Sequence, residues 1–131
     1  MTKDQTTPED FFKCFAAQFL PENLLTYFDI VSFETEELPK DKQVDIYKKC
    51  LHVYVKERDN RQVYGSHLRS NGFTEETTVT DFPCHGMKVQ IHAKRRRYLD
   101  DEGKSCVPCP YQFKVKGTSY TPEYGFFCEI N

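Results

Sequence analysis

The sequence has no tryptophan and no apolar run that approaches the roughly 20 residues a helix needs to cross a bilayer. Its first residues, MTKDQTTPED, lack the apolar segment of a signal peptide. We therefore expect a cytoplasmic chain without membrane contact, whose six cysteines are thiols or metal ligands rather than disulfides. Internal repeats and low-complexity linkers are also absent, which favours one domain with or without an arm.

Short catalytic motifs are missing too. The chain has no nucleophile elbow, no glycine-rich phosphate loop and no HExxH. Its carboxylates cluster in turns, and nothing marks two of them as an acid and base couple. These absences predict that the chain is not an enzyme.

The only CxxC motif is formed by Cys106 and Cys109. A structural zinc site needs four ligands, usually with a second close pair, and Cys84, His85 and Cys128 are scattered. A redox dithiol needs its first cysteine at a helix N-terminus, whereas a proline follows this motif at once. Ordinary thiols in a loop are favoured, so no cofactor is expected, with Cys106 and Cys109 as weak zinc candidates.

Charge is distributed unevenly along the chain. Residues 1–60 carry 8 Lys or Arg against 12 Asp or Glu, which gives −4, and residues 61–131 carry 10 against 8, which gives +2. Within 85–116 the count is 8 against 3, or +5. A basic segment on an otherwise acidic chain indicates a surface for an anionic partner.

The first 28 residues predict a helical arm. Thr7 is placed to cap a helix that begins at Pro8, and Phe11, Phe15 and Phe19 then recur every four residues as an apolar stripe. A shorter second helix is expected after Pro21. This arm either covers a sheet or docks on a partner.

The centre of the chain predicts short strands separated by turns. Alternating or β-rich patterns occupy residues 29–38, 50–56, 77–82, 87–93 and 111–117. The Asn-Gly pair within 70–73 indicates a turn. Thr121 and Pro122 open a final helix, with Thr121 as its cap. We predict an α+β fold: short N-terminal helices (1–28) packed on an antiparallel sheet of four to five strands (29–120), and the start of a truncated helix (121–131).

The alternation assigns a face to each residue of two strands. The expected core faces are Leu51, Val53 and Val55 in one strand, and Met87, Val89, Ile91 and Ala93 in the other. The opposite face of the first strand carries His52, Tyr54 and Lys56, so His52 is a solvent-side residue rather than a ligand. The opposite face of the second strand carries Lys88, Gln90, His92, Lys94 and Arg96, so the KRRR run continues a cationic stripe.

A cationic strand face suits nucleic acid, since lysine and arginine neutralise phosphates and arginine also forms bidentate contacts. The primary contacts are expected from Lys88, His92, Lys94, Arg96 and Arg97, supported by Arg95, Lys114 and Lys116. Tyr98 and Tyr111 flank the stripe and are candidates for packing on sugars or bases.

The same region carries a family resemblance. Residues 70–105 contain a Gly-Phe turn, a threonine-rich strand, Asp-Phe-Pro, a glycine, and an alternating strand that ends in Arg96-Arg97-Tyr98. This pattern resembles the N-terminal region of bacterial insertion-sequence transposases of the ISAon type, relatives of the broader ISL group. Around it, LPENLLTYFDIVSFE resembles their helical lead-in, and KGTSYTPEYGFF resembles the start of their helix-turn-helix. The resemblance covers about residues 19–127.

The resemblance implies a region that binds double-stranded DNA at the terminal inverted repeats of the mobile element. In such families a separate RNase H-like domain with acidic residues and a divalent metal cuts and joins the DNA. That domain is absent here, so the implied partner is a catalytic transposase subunit. Many relatives carry paired CxxC knuckles, whereas this chain has only Cys106 and Cys109, placed after Tyr98.

Two alternatives remain open. In the first, the chain is a protein-interaction module whose phenylalanine-rich helix docks on a catalytic subunit or on a second copy, and the basic run is a solvated face. In the second, it is a thiol enzyme that uses Cys106 and Cys109.

Overall fold

The computed structural model describes residues 8–42, 47–114 and 118–130, which form a mixed α+β fold. In chain order the elements are α1 (Pro8–Ala17), α2 (Leu24–Tyr27), β1 (Phe28–Glu37), a 3-10 turn (Lys40–Lys42), β2 (Lys49–Glu57), α3 (Arg61–Tyr64), β3 (Arg69–Phe73), β4 (Thr77–Cys84), β5 (Met87–Lys94), β6 (Arg96–Leu99), β7 (Ser105–Cys106) and α4 (Pro122–Ile130). The α+β prediction is confirmed. None of these helices is long and apolar enough to cross a membrane.

The main sheet has four strands in the order β1-β2-β5-β4. Its outer pairs, β1–β2 and β4–β5, are antiparallel, but β2 and β5 pair in parallel. The expectation of an antiparallel sheet therefore holds for two of its three pairings. Alternation along a strand shows which residues share a face, but it carries no information about the direction of the neighbouring strand.

A second sheet has the order β3-β6-β7. The chain passes from β5 to β6 at Arg95, so it leaves the main sheet where the basic run begins. Residues 70–73, expected as a turn, lie within β3, whose pairing with β6 is irregular between Ser70 and Phe73. Gly72 has φ 77° there, so the positive φ indicated by Asn-Gly is used in a bulge.

The core lies on one face of the main sheet. Val53 and Val55 from β2 are buried there, together with Val89, Ile91 and Ala93 from β5, as the alternation predicts. Leu24 and Phe28 pack against these residues, so α2 belongs to the same core as the strands. Residues 111–114 are not a strand. They form a loop that contributes Phe113 to the core and packs Tyr111 against it, while 115–117 lie outside the described residues.

The two end helices begin at the predicted prolines, but the apolar stripe of the first helix is more exposed than expected. α1 begins at Pro8 as predicted, but Phe11, Phe15 and Phe19 are all more than half exposed, so the stripe covers the sheet only in part. α4 begins at Pro122 as predicted. The Thr121 hydroxyl, predicted to cap this helix, donates a 2.8 Å hydrogen bond to the buried carboxylate of Asp81.

Candidate functional site

The outer face of β5 carries part of the predicted cationic stripe. Lys88 and Lys94 lie on that face and are half-buried, while the intervening inward residues are almost fully buried. Lys94 is the cross-strand partner of Lys56 in β2, so the parallel pairing brings two lysines side by side. The stripe therefore extends across two strands at this end of the sheet.

A phenylalanine organises the cations at this end. The Nζ of Lys56 lies 4.8 Å from the centroid of the Phe73 ring, and the guanidinium carbon of Arg96 lies 4.9 Å from it. We call Lys56, Lys94, Arg96 and Phe73 the Phe73 cluster. None of its three cations forms an ion pair with a carboxylate among the described residues. Cation–π contacts hold the heads of Lys56 and Arg96 without neutralising them, and Lys94 pairs with Lys56 across the sheet, so the cluster presents concentrated positive charge.

Arg95 does not join this surface. Its Nη2 donates a hydrogen bond to the Tyr111 carbonyl, and its guanidinium lies 4.7 Å from the Phe113 ring centroid. Its Nε is buried without a hydrogen-bond partner among the described residues. Arg95 therefore fastens the loop at 111–114 to the sheet.

The other predicted contacts are dispersed. Arg97 is exposed on β6, and Lys114 is exposed at the end of the described part of its loop. Lys116 lies outside the described residues. Tyr98 was expected to be available to a ligand, but it is completely buried, with its ring against Tyr64 and its hydroxyl hydrogen-bonded to the Asn60 backbone N–H. Tyr111 is half-buried, with its ring 6.0 Å from that of Phe28.

The middle of the outer face is a hydrogen-bonded network around His52 and His92, which we call the histidine pair. His52 Nδ1 and His92 Nε2 are 2.7 Å apart. At the outer ends, His52 Nε2 lies 3.1 Å from Glu36 Oε1, and His92 Nδ1 lies 2.8 Å from the Thr78 hydroxyl and 3.4 Å from Glu76. The sequence placed His52 in solvent, yet the register of β2 and β5, which pairs His52 with Gln90, puts it diagonally beside His92.

His92 adds little positive charge to the stripe. Burial, and then the neighbouring His52, lower the pKa of His92, while Glu76 opposes this effect. His92 is therefore neutral at pH 7 and acts as a hydrogen-bonding group. The face is also bordered by exposed carboxylates, with Glu34 and Glu36 on β1 and Glu76 just before β4. Positive charge on this face is thus concentrated at the end that contains the Phe73 cluster, while Lys88 lies at the opposite end of β5.

Lowering the pH from 7 to 5 is expected to destabilise the protein through His92. Because its folded pKa lies below the ordinary value of 6.5, the unfolded chain takes up a proton first, and stability falls as the pH drops through this range. His92→Gln should make the free energy of unfolding less dependent on pH, as measured by urea titrations at pH 5, 6 and 7. His85→Asn, at an exposed turn position, controls for loss of an imidazole. An unchanged pH slope in His92→Gln would contradict the assignment.

Sequence reasoning missed two members of the Phe73 cluster. Lys56 was assigned to the outer face of its strand but not to the stripe, and Phe73 was treated as part of a turn. The alternation of 50–56 signalled the side of Lys56. Its proximity to Lys94 follows only from the parallel register.

The weak zinc candidates do not form a metal centre among the described residues. Cys106 is half-buried in β7, whereas Cys109 is buried at the edge of the core. No group of three or more His, Cys, Asp or Glu side chains in the described ranges is arranged to hold a metal ion.

No family model, no curated protein and no solved structure matches this chain.

Proposed function

We propose that the chain binds double-stranded DNA as the non-catalytic N-terminal region of a transposase that recognises the ends of an insertion sequence. The observation that carries DNA binding is the Phe73 cluster, where Lys56, Lys94 and Arg96 concentrate unpaired positive charge on one end of a sheet face. The transposase assignment rests on the resemblance of residues 70–105, which include Phe73, Lys94 and Arg96.

The arrangement suits contact with the phosphate backbone. Lys56 and Arg96 on one phenylalanine ring, with Lys94 beside Lys56 in the sheet, are placed to neutralise adjacent phosphates and release counterions, which favours binding at low salt. The carboxylates of Glu34, Glu36 and Glu76 repel phosphates from the rest of the face. A DNA backbone is therefore expected to cross the Phe73 end of the sheet, with Arg97 on β6 as an additional contact.

Replacing Lys56 and Lys94 together by alanine is expected to weaken DNA binding about tenfold or more at moderate salt, since two phosphate contacts are lost. The slope of log affinity against log salt should fall by about 1.8, because each lost contact accounts for about 0.9. We would measure fluorescence anisotropy with duplexes from the ends of the surrounding element and with shuffled duplexes, at several salt concentrations.

The matched control is Lys49→Ala with Lys104→Ala, which removes two exposed lysines outside the cluster. Preference for the element ends in the wild type, with a loss of affinity for both duplexes in the cluster variant only, supports the proposal, because phosphate contacts contribute affinity without sequence information. Equal binding to both duplexes supports a cationic surface but contradicts end recognition. Equal affinity of the cluster variant and the wild type would refute the assignment of the site.

A second candidate is an interaction module that docks through α1 on a catalytic transposase subunit or on a second copy. Phe11 and Phe15 stack with centroids 6.3 Å apart, Phe15 and Phe19 lie 5.1 Å apart, and all three are more than half exposed. An apolar helical stripe of this kind is typical of a helix that completes its packing on another protein. Self-association in sedimentation experiments without DNA affinity would favour this candidate.

A further inference from the structure

The two edges of the main sheet differ in whether another segment of the chain pairs with them. At the β4 edge, Thr80 N donates to the Ser119 carbonyl at 2.7 Å and Thr121 N donates to the Thr80 carbonyl at 2.9 Å, so the segment before α4 covers that edge. At the opposite edge, β1 pairs only with β2 among the described residues. Residues 31–37 of β1 are all exposed. A long uncovered edge strand is a template for one more strand.

The core side of this edge leads into an apolar groove of about 330 Å³. Phe33 of β1 is 56% exposed and forms one wall of the groove. The residues that surround it come from α1, the turn that follows it, β2, β4 and β5, and include Phe15, Phe19, Leu51, Cys84 and Val89. A strand added beside β1 would direct every second side chain towards this groove.

The outer side of the same edge is acidic. Glu34 accepts a hydrogen bond from the Tyr54 hydroxyl at 3.3 Å, and Glu36 lies 3.1 Å from His52. Both carboxylates remain exposed, and the Glu36 side chain is 58% accessible. The alternate side chains of an added strand would lie beside these carboxylates, where opposite charge across a strand pair is favourable.

We propose that the β1 edge binds an extended segment of a partner protein in which apolar and cationic residues alternate. The apolar residues enter the groove beside Phe33, and the lysines or arginines face Glu34 and Glu36. This surface is separate from the Phe73 cluster. Pairing of β1 with β1 of a second copy is disfavoured, because like charges brought together across a strand pair repel.

The probe is a fluorescein-labelled ten-residue peptide of alternating lysine and valine. The control peptide has five lysines followed by five valines, which keeps the composition and charge but cannot place the two kinds of side chain on opposite faces. We expect the alternating peptide to bind at least tenfold more tightly in anisotropy titrations. Hydrogen exchange, followed by NMR, should slow at amides within residues 31–37 when the peptide is present.

Two charge-reversal variants locate the site. Glu34→Lys with Glu36→Lys is expected to lose about tenfold in peptide affinity. Asp101→Lys with Glu102→Lys makes the same change of net charge in the exposed turn before β7 and should bind like the wild type. Phe33→Ser alters an exposed side chain of the same strand without changing the charge, and it should also weaken peptide binding. A loss of affinity in this variant would show that the effect does not depend on a folding defect of the charge-reversal variant.

Three results would overturn the proposal. The first is equal binding of the alternating and block peptides. The second is an equal loss of affinity in the two charge-reversal variants, which would indicate non-specific attraction. The third is slowed exchange in β1 that depends on protein concentration without peptide, which would assign the edge to a second copy.

Discussion

Replacing Glu57 by alanine is expected to lower the free energy of unfolding by about 3 kcal/mol or more, because the change leaves several buried donors without an acceptor. Glu57 is 1% exposed at the end of β2. Its carboxylate accepts hydrogen bonds from the Tyr64 hydroxyl at 2.6 Å, the Asn60 amide at 3.2 Å and the Arg96 backbone N–H at 2.8 Å. The Glu57 side chain therefore ties α3 and the start of β6 to the main sheet.

Urea unfolding followed by circular dichroism measures this effect. Glu57→Gln keeps one oxygen acceptor of the same shape and should lose about half as much stability, since part of the network survives. Glu37→Ala removes an exposed carboxylate from β1 and should change stability by less than about 0.5 kcal/mol. Similar stabilities of Glu57→Ala and Glu37→Ala would show that the buried network contributes nothing.

Replacing Tyr98 by alanine is expected to lower the free energy of unfolding by about 3–5 kcal/mol, the usual cost of removing a large aromatic side chain from a core. Tyr98 is fully buried, and its ring packs edge-on against Tyr64 with centroids 6.1 Å apart. Its hydroxyl oxygen accepts a 3.3 Å hydrogen bond from the Asn60 backbone N–H. Loss of the ring therefore opens a cavity between α3 and the second sheet.

Two substitutions separate the contributions of Tyr98. Tyr98→Phe keeps the ring and should cost only about 1 kcal/mol for the lost hydroxyl contact. Arg97→Ala, at the neighbouring exposed position of β6, should leave stability nearly unchanged but weaken DNA binding slightly. Thermal unfolding gives the order of stabilities. A Tyr98→Ala protein as stable as Arg97→Ala would contradict the burial of this ring.

Two arginines of the basic run make contacts that stabilise the fold, so deleting the whole run is a poor test of DNA binding. Removal of residues 94–97 together would disrupt the Arg95 contacts with Tyr111 and Phe113. It would also remove the hydrogen bond from Arg96 Nε to the Glu57 carbonyl. Loss of DNA binding in such a variant would then reflect a damaged fold as readily as a lost contact. Lys56 and Lys94 are better probes because no described hydrogen bond or ion pair of their side chains holds the core together.

The faces of the central strands and the starts of the end helices could be predicted from the local sequence pattern. The period of two in β2 and β5 correctly divided buried from outward residues, because alternation along an extended chain requires no knowledge of neighbours. Pro8 and Pro122 marked helix starts, because proline fits the first helical position. Thr121 shows the limit of this reasoning, since local pattern gave no sign of the long-range hydrogen bond that its hydroxyl donates to Asp81.

The candidate site depended on contacts between residues far apart in the chain. Lys56 meets Lys94 because β2 and β5 run in parallel, and this direction cannot be read from either strand alone. The same register puts His52 diagonally beside His92, where the two rings are hydrogen-bonded. Partial burial lowers the pKa of His92, so a histidine expected to supply positive charge is neutral at pH 7.

By itself, the sequence determined the α+β class, the inward and outward faces of the central strands and the concentration of positive charge within 85–116. Tertiary structure decided which cations remain together, because the chain changes sheets at Arg95 and turns that arginine and Tyr98 away from the stripe. The physical reason is that side-chain direction follows local backbone geometry, whereas charge neutralisation and burial depend on which distant elements pack alongside.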